Sequence, residues 1–524
     1  MTDVISFPLH LQYPAEESTV RPGPDRKEMI WMNEKITIRT SGLKEIRKIN
    51  PLLVSFNVEM AEVTGGTFWK EYSPGQIAGT EPFYAGTDAA SALQVYPPVN
   101  LYEENIRTLT KALGPSYIRV SGSWCTTTYV DLDNETNGTP PPGYKSVLTR
   151  EQWIGVLDFV SAVGGKLLIS ADNCEGNHSA DEPWDSARAK QLLDFSRTYG
   201  VPVSAAEFTN EPNGYNMTGT PAGYTPEQFG RDQDLFFRFL HENYPEITAV
   251  GPSACFDSIE NTAYAVFTQH ELFHAHPTKA LLDACTERAD AFSYHLYYGL
   301  SERGAAFGGH WNAEDALSEQ YLNTVETVFR FYEPLRDQYA PGSEIWITED
   351  GDAACGGNTW ASTCMEMVRA ADEIGRFARL TNGILFHNTL AASTYGYLDQ
   401  KTHLPRPSYW VAWLWKHLMG DTVYDAEEPI REGAHVFSHS RKDGREGYSY
   451  VLINNSRETA TEVLLPRGAE VWQLTGKSLR SVTALLNGKP LIYHSGSGEP
   501  VLNSLHVPAG SFFLPPVSVT FLLI

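Results

Sequence analysis

From residue 50 onward, short apolar runs rich in β-branched residues alternate with longer stretches of helical period. The runs are LLVSFNVEM (52–60), SYIRVSG (116–122), KLLISAD (166–172), VPVSAAEFTN (201–210), ITAVGPSA (247–254), AFSYHLYY (291–298), EIWITED (344–350) and GILFHNTL (383–390). Between them lie NIRTLTKALG, EQWIGVLDFVSAVG, SARAKQLLDFSRTYG and PEQFGRDQDLFFRFLHENY, with apolar residues at i, i+3 or i+4, and YWVAWLWKHLMG (409–420) closes the series. Several of these stretches end in glycine, a common helix stop. Strand–helix alternation implies a parallel sheet, because each crossover must return the chain to the same end. Eight such units predict an α/β fold of the (β/α)₈ barrel kind. The competing doubly wound sheet would place a glycine-rich phosphate fingerprint after its first strand, and NVEMAEVTGGTFWKEY (57–72) carries none that leads into a helix.

Beyond residue 420 the pattern changes to short strands cut by Gly, Pro and Asn, as in GAHVFSHSRKDGREGYSYVLINNS, TEVLLP, EVWQLTG, PLIYHSG and VPAGSFFLPPVSVTFLLI. This spacing predicts an antiparallel β-sandwich. The early run KITIRTSG (35–42) pairs with that tail in the expected arrangement. The domains are therefore read as a catalytic barrel over 45–420 and a discontinuous sandwich from 1–44 plus 421–524.

Composition narrows the function classes. Sixty-four acidic against forty basic residues give a net charge of −24, a field that disfavours nucleic acid and other polyanions. No segment reaches the ~18 uninterrupted apolar residues of a membrane span, so no membrane partner is expected. The opening MTDVISFPLHLQYPAEEST lacks a basic start followed by a long apolar segment. The expected compartment is the cytoplasm if the sequence is complete, or outside the cell if it begins after cleavage. Six cysteines in 524 residues form no disulfide framework, although Cys125 with Cys174, and Cys355 with Cys364, follow elements near enough to pair. With no HExxH, Cys/His cluster or phosphate loop in view, no metal and no cofactor is expected.

The chemistry concentrates at two strand ends. AAEFTNEPNGYN (205–216) ends the fourth strand with Asn210 and Glu211, and WITEDGD ends the seventh with Glu349. Active sites of such barrels lie at the C-terminal ends of the strands, and strands four and seven face each other across the mouth. Two carboxylates ~5–5.5 Å apart make a retaining glycosidase: one delivers a proton to the leaving oxygen, the other attacks the anomeric carbon. Glu211 is assigned as acid/base and Glu349 as nucleophile. His295 and Tyr297, two apart on strand six, share a face. Glu59 ends strand one and Ser123 follows strand two, while Asp350 and Asp352 crowd the nucleophile.

TNEPN at strand four together with the strand-seven glutamate resembles the large clan of retaining (β/α)₈ glycosidases. Within it the chain resembles glycoside hydrolase family 79, the family of heparanase and exo-β-glucuronidases. The likeness is carried by WDSARAKQLLDFSRTYG leading to EFTNEPNGY, by IRVSGS, YHLYY and ITEDGDAACGGNTW, and by STYGYLDQKTHLPRPSYWVAWLWKHLMG. It implies that a uronate carboxylate is held by the backbone N–H groups of Gly356 and Gly357 and by the Tyr395 hydroxyl. Successive amides form an anion-accepting concavity, and glycine lets a ligand approach closely. It also implies that Asn210 bonds the sugar 2-hydroxyl, that His295 and Tyr297 stand at the reacting sugar, and that Glu59 and Ser123 meet sugar hydroxyls. The expected substrate is a glucuronide or glucuronic-acid-containing glycan, cleaved from its end to release glucuronate or its 4-O-methyl ether. A heparanase-like endo-acting enzyme and a non-catalytic sugar-binding barrel are the alternatives. Oligomeric state has no signal in the sequence.

Overall fold

The computed structural model describes residues 35–83, 89–269 and 274–524. Eight strands, β1 (Val54–Glu59), β2 (Tyr117–Ser121), β3 (Lys166–Ser170), β4 (Val203–Glu207), β5 (Thr248–Ala254), β6 (Ala291–Tyr297), β7 (Glu344–Gly351) and β8 (Leu385–His387), close into a barrel. Every neighbouring pair is parallel, and β8 returns to β1. Each of the eight apolar runs of the sequence supplies one strand, in order.

Eight helices follow the strands: α1 (Glu104–Ala112), α2 (Arg150–Val163), α3 (Ala187–Tyr199), α4 (Pro226–Asn243), α5 (Thr278–Asp283), α6 (Thr324–Tyr339), α7 (Cys364–Leu380) and α8 (Pro407–Leu418). Local chemistry sets their ends. Thr149 with Gln152, and Thr225 with Gln228, form reciprocal capping boxes that satisfy amides at the starts of α2 and α4. Gly164 and Gly200 stop α2 and α3 in the left-handed conformation. The predicted helix through Gly420 stops earlier, because Met419 already begins a strand.

The barrel interior is divided along its axis. Near the N-terminal ends, Tyr117, Leu168, Ala205, Val250, Ala291, Trp346, Ile384 and Phe386 pack into an apolar plug. Two and four residues further along the strands, the inward positions turn polar, with Arg119, Ser121, Ser170, Glu207, Ser293 and His295 all buried. Even-spaced neighbours such as Ile118, Val120, Phe292, Tyr294 and Leu296 face the helices instead. The chain thus builds a dry base and a polar mouth from one alternation.

After α8 come β9 (Met419–Tyr424), β10 (His435–Arg441), β11 (Tyr448–Asn454), β12 (Thr461–Leu465), β13 (Ala469–Gly476), β14 (Ala484–Leu486), β15 (Lys489–Pro490), β16 (Leu505–Val507), β17 (Gly510–Leu514) and β18 (Ser518–Leu523). The larger sheet runs Glu45–Lys48, β9, β10, β11, β18, β13, β14, β15, with β16 also on β13; the smaller runs Ile36–Thr37, β12, β17. Ile36, Ile38, Val436, Leu452, Val463, Val471, Leu514 and Leu522 fill the space between them. The expected pairing of residues 35–42 with the tail is present, as a short parallel contact of Ile36 and Thr37 with Val463 and Leu464. PLIYHSG does not form the expected strand beyond Pro490, since Leu491 to Gly496 find no ladder. Of the proposed division at 44 and 420, residues 1–34 lie outside the described residues, and the boundaries stand as a proposal. All six cysteines are free thiols, so neither Cys125–Cys174 nor Cys355–Cys364 is bridged.

The outer face of the larger sheet packs on α7 and α8. Gly375 of α7 permits this approach, because a Cβ there would lie 2.4 Å from the Phe437 ring. A buried ionic cluster seals the seam: His435 of β10 bonds Asp372 of α7 through Nδ1 and Glu319 through Nε2 at 2.9 Å. Burial alone would lower the His435 pKa, but Asp372 and Glu319 together raise it to about 9. A histidine raised above its unfolded value of about 6.5 contributes stability that is complete below that pH and fades as pH climbs through 9. Thermal unfolding of the wild type should therefore lose more between pH 6.5 and 9.5 than that of His435→Gln, by up to about 3 kcal/mol; parallel pH profiles would contradict the ion cluster.

Candidate active site

Chain geometry places Glu211 with care. β4 ends at Glu207, and Asn210 and Glu211 lie in the loop beyond it, with Pro212 opening a 3₁₀ turn over Pro212–Gly214. Glu211 takes a left-handed backbone conformation, φ 47°, which costs a non-glycine residue about 1 kcal/mol. Its N–H donates to the Ser253 carbonyl on β5 at 3.2 Å, which ties the turn to the next strand. The side chain then reaches His295, whose Nδ1 stands 3.0 Å from Oε1. Glu349 stands within β7, beside His295 in the ladder. A carboxylate oxygen of Glu211, one of Glu349 and a ring nitrogen of His295 all lie within 4.8 Å of one another. The two carboxylates therefore converge over one rim.

Arg119 organises the floor beneath them. Its side chain has no solvent exposure. Nη1 donates to Glu349 Oε1 at 2.8 Å, Nε to Glu207 Oε1 at 2.9 Å and Nη2 to Asn210 Oδ1 at 2.7 Å. Glu207 also accepts from Ser121 at 2.8 Å and from Ser253 at 2.6 Å. Asn210 in turn donates to Ser123 Oγ at 3.2 Å. On the other side of Glu349, the Tyr297 hydroxyl donates to Oε2 at 2.7 Å. Asn388, just past β8, donates both to the Tyr297 hydroxyl at 2.8 Å and to the Tyr395 hydroxyl at 3.2 Å.

This environment separates the acids electrostatically. Burial would raise the Glu349 carboxyl, but His295, Arg119 and the Tyr297 hydroxyl outweigh it and hold the group below its usual range. Glu349 is therefore ionised at neutral pH. Glu59 moves the other way: burial and the nearby Glu349 charge push its carboxyl well above the usual carboxylate range. Glu62, which caps the same turn, is raised by burial to about 8. Buried Glu59 Oε2 and Asn388 Oδ1 have no partner among the described residues, and both side chains line the cleft. Such groups are open to a ligand's hydroxyls.

The cleft has a volume of about 520 Å³. Glu59, Ser123, Asn210, Glu211, Tyr297, Glu349 and Tyr395 all line it, and His295 stands directly behind the two catalytic candidates. Trp69, Trp124, Phe256 and Met217 add apolar wall, and Lys145 is the one basic lining residue among the described residues. Gly356 and Gly357 lie one step behind that wall, after Ala354 and Cys355. Both have positive φ, 83° and 79°. A Cβ on Gly356 would come within 2.6 Å of Trp69, and one on Gly357 within 3.1 Å of Tyr395, so glycine is required for this fit. Neither glycine N–H has a partner among the described residues. Asp350 and Asp352 do not line the cleft: Asp350 turns to Arg369 at 3.4 Å, and Asp352 accepts from the Asn358 N–H at 2.9 Å. Burial and the Glu366 charge lift the Asp352 carboxyl to about 8.

Arg119, Glu207 and Asn388 are the site residues that the motif reading passes over. A signal for the first two was present. In a barrel strand buried on both sides, Arg119 and Ser121 repeat at the inward period of two, as do the inward residues of β4 that end in Glu207. The group of Glu211, His295 and Glu349 is close enough to share a cation, but Arg119 and Tyr297 already occupy the Glu349 oxygens. That donor set suits proton transfer and nucleophilic attack better than metal ligation.

No family model matches the chain. Among curated proteins it is similar to heparanase-like protein 1 of Arabidopsis thaliana, 24% identical over 79% of this chain and 82% of that one. Baicalin-beta-D-glucuronidase of Scutellaria baicalensis is also 24% identical, over 68% of each chain. Of solved structures, a 4-O-alpha-L-rhamnosyl-beta-D-glucuronidase from Fusarium oxysporum superposes with a TM-score of 0.60 at 12% identity, covering 93% of this chain and 100% of that one, and so shares the fold.

The chain is thus similar, at 21–26% identity over much of its length, to heparanases and a β-glucuronidase of glycoside hydrolase family 79. The (β/α)₈ barrel with its accessory sandwich is as the strand–helix alternation and the strand-rich tail predict. The protein is a glycoside hydrolase. Because Arg119 is fully buried between two carboxylates, its removal should leave Glu207 uncompensated. Arg119→Met should cost about 3–5 kcal/mol in urea unfolding, more than Arg119→Lys. The same change should raise the Glu349 pKa and move the acid limb of kcat/KM upward by about one pH unit or more; an unmoved limb would remove Arg119 from the charge balance.

Proposed function

We propose that the protein is a retaining β-glucuronidase that releases terminal β-linked glucuronate, or its 4-O-methyl ether, from a glucuronide or glucuronic-acid-containing glycan. The observation that carries this reading is the approach of the Glu211 and Glu349 carboxylates to within 4.8 Å. An inverting enzyme needs about 6.5–9.5 Å to seat a water between its carboxyl groups, whereas direct attack by one of them needs about 5–5.5 Å. In the first step Glu349 attacks the anomeric carbon as the bond to the leaving oxygen breaks, and Glu211 gives that oxygen its proton. In the second, Glu211 takes a proton from water, whose oxygen displaces Glu349 and frees the sugar.

The roles follow the environments. Glu349, with three polar partners holding it ionised, suits the nucleophile. Asn210, fixed by Arg119 and Ser123, suits the 2-hydroxyl, whose bond strengthens in the transition state. His295 and Tyr297 hold the two acids in place, while Glu59 and Ser123 suit other hydroxyls. Gly356, Gly357 and Tyr395 are assigned to the substrate carboxylate, which the unpartnered glycine amides support. The activity named for the Scutellaria relative, a β-D-glucuronidase, supports the same sugar. A net charge of −24 and a single basic lining residue favour a terminal glucuronide over a long sulfated chain.

Hydrolysis of aryl β-glucuronide against aryl β-glucoside tests the sugar. The glucuronide should have a kcat/KM at least about 100-fold higher; a better glucoside would refute the carboxylate site. Glu349→Gln should abolish turnover of both. Glu211→Gln should retain activity on activated leaving groups, which need little protonation. Equal loss across leaving groups of different basicity would contradict its role as the acid.

A further inference from the structure

Behind the glycine pair sits a buried cation that touches no acid. Arg303 follows β6 and is 7% exposed. It forms no ion pair among the described residues; its donors go to main-chain carbonyls. Nη1 bonds the carbonyls of Cys355 at 3.0 Å and Gly357 at 2.7 Å, and Nη2 bonds that of Lys70. The guanidinium lies over the Tyr72 ring, 3.9 Å from its centre. The acids on the adjoining segments are occupied: Glu302 accepts from the Thr359 N–H at 2.7 Å, and Asp352 from that of Asn358. A buried guanidinium without a counter-ion is costly unless an anion completes the site.

Three successive carbonyls of the glycine loop are pinned on this side. Cys355 O accepts from Ser301 and Arg303, Gly356 O from Ser393 at 2.9 Å, and Gly357 O from Tyr72 at 3.1 Å and Arg303. In a planar trans peptide the N–H points opposite to the preceding C=O. Fixing the oxygens of Cys355 and Gly356 therefore turns the Gly356 and Gly357 amides away from Arg303, Ser301 and Ser393. Those two amides are the unpartnered ones. A cation on the carbonyl side also polarises each peptide and strengthens its N–H as a donor.

We propose that Arg303 is the specificity-determining positioning residue for the substrate carboxylate, neutralising it at one peptide's remove through the Gly356 amide, whose plane it holds at the Cys355 carbonyl. Ser393 fixes the Gly357 amide plane through the Gly356 carbonyl, and Tyr72 anchors both the guanidinium and the following Gly357 carbonyl. This rests on the assignment of the glycine pair to a uronate. The arrangement keeps a cation from pairing with Glu211 or Glu349, yet still sets a positive charge against the anion.

The test measures 4-nitrophenyl β-D-glucuronide and β-D-glucoside hydrolysis, with inhibition by free D-glucuronate, for wild type, Arg303→Gln, Tyr72→Phe and Ser393→Ala. Arg303→Gln should raise KM for the glucuronide and Ki for glucuronate by about 30-fold, with a smaller change in kcat. Tyr72→Phe and Ser393→Ala, each losing one neutral bond, should raise them by about 2- to 10-fold. In each variant the preference for glucuronide over glucoside should shrink by the same factor. If Arg303→Gln fails to fold, the other two variants decide. A wild type that prefers glucuronide, with variants that keep the full preference, overturns the role of Arg303 alone. A wild type that prefers the glucoside overturns the uronate assignment itself.

Discussion

The structure of the mouth depends on one buried cation. Arg119 is removed from water entirely, and a guanidinium in that position is tolerated only when its donors are all used. They reach Glu207 below, Glu349 to one side and Asn210 above, so three segments of chain from β4, its loop and β7 are fixed relative to β2 by one planar group. Glu207 matters in this arrangement although it does not line the cleft. With its hydroxyl partners on β2, β3 and β5, it supplies a second negative charge that balances the arginine independently of Glu349.

The apolar base of the barrel and the polar mouth answer each other. Tyr117, Trp346 and Phe386 fill the lower interior and exclude water from beneath Arg119. Exclusion of water strengthens every charge interaction above. The acids then diverge by neighbours rather than by type: Glu349 receives Arg119 and Tyr297 and is held low, while Glu59, with burial and a like charge against it, is pushed up. The same economy of charge recurs at Arg303, where a second buried guanidinium works through peptide groups instead of carboxylates.

Much of this was legible in the sequence because the barrel repeats one simple pattern. Apolar runs separated by helical stretches, several of them stopped by glycine, identify every strand from β1 to β8, and their order places Glu211 just past β4 and Glu349 at the end of β7. Less was legible where a residue's role depends on contacts between distant segments. Arg119 sits in SYIRVSG as a single polar letter, and only the closed barrel brings it to residues 88, 91 and 230 positions away. Asn388 acquires meaning only when the closed barrel brings its side chain to Tyr297 at the end of β6 and to Tyr395. In PLIYHSG the alternation suggested a strand, but after Leu491 bonds the Ala484 carbonyl the chain pairs no further, and Ile492 and His494 face solvent. Asp350 and Asp352 follow Glu349 closely in sequence yet turn to Arg369 and Asn358, because a bulge at Thr348 breaks the alternation that starts from inward Trp346 and leaves Glu349, not Asp350, facing the mouth.

In the proposed reaction the Glu349 carboxylate, held ionised by Arg119, is the group that takes the sugar. The most direct measurement is trapping with 2-deoxy-2-fluoro-β-D-glucuronyl fluoride, followed by peptide mass spectrometry. One sugar per chain is expected, attached at Glu349, with activity lost in step with labelling. A label on any other side chain, or full turnover of the fluoride through an intermediate that never attaches to the protein, would contradict it.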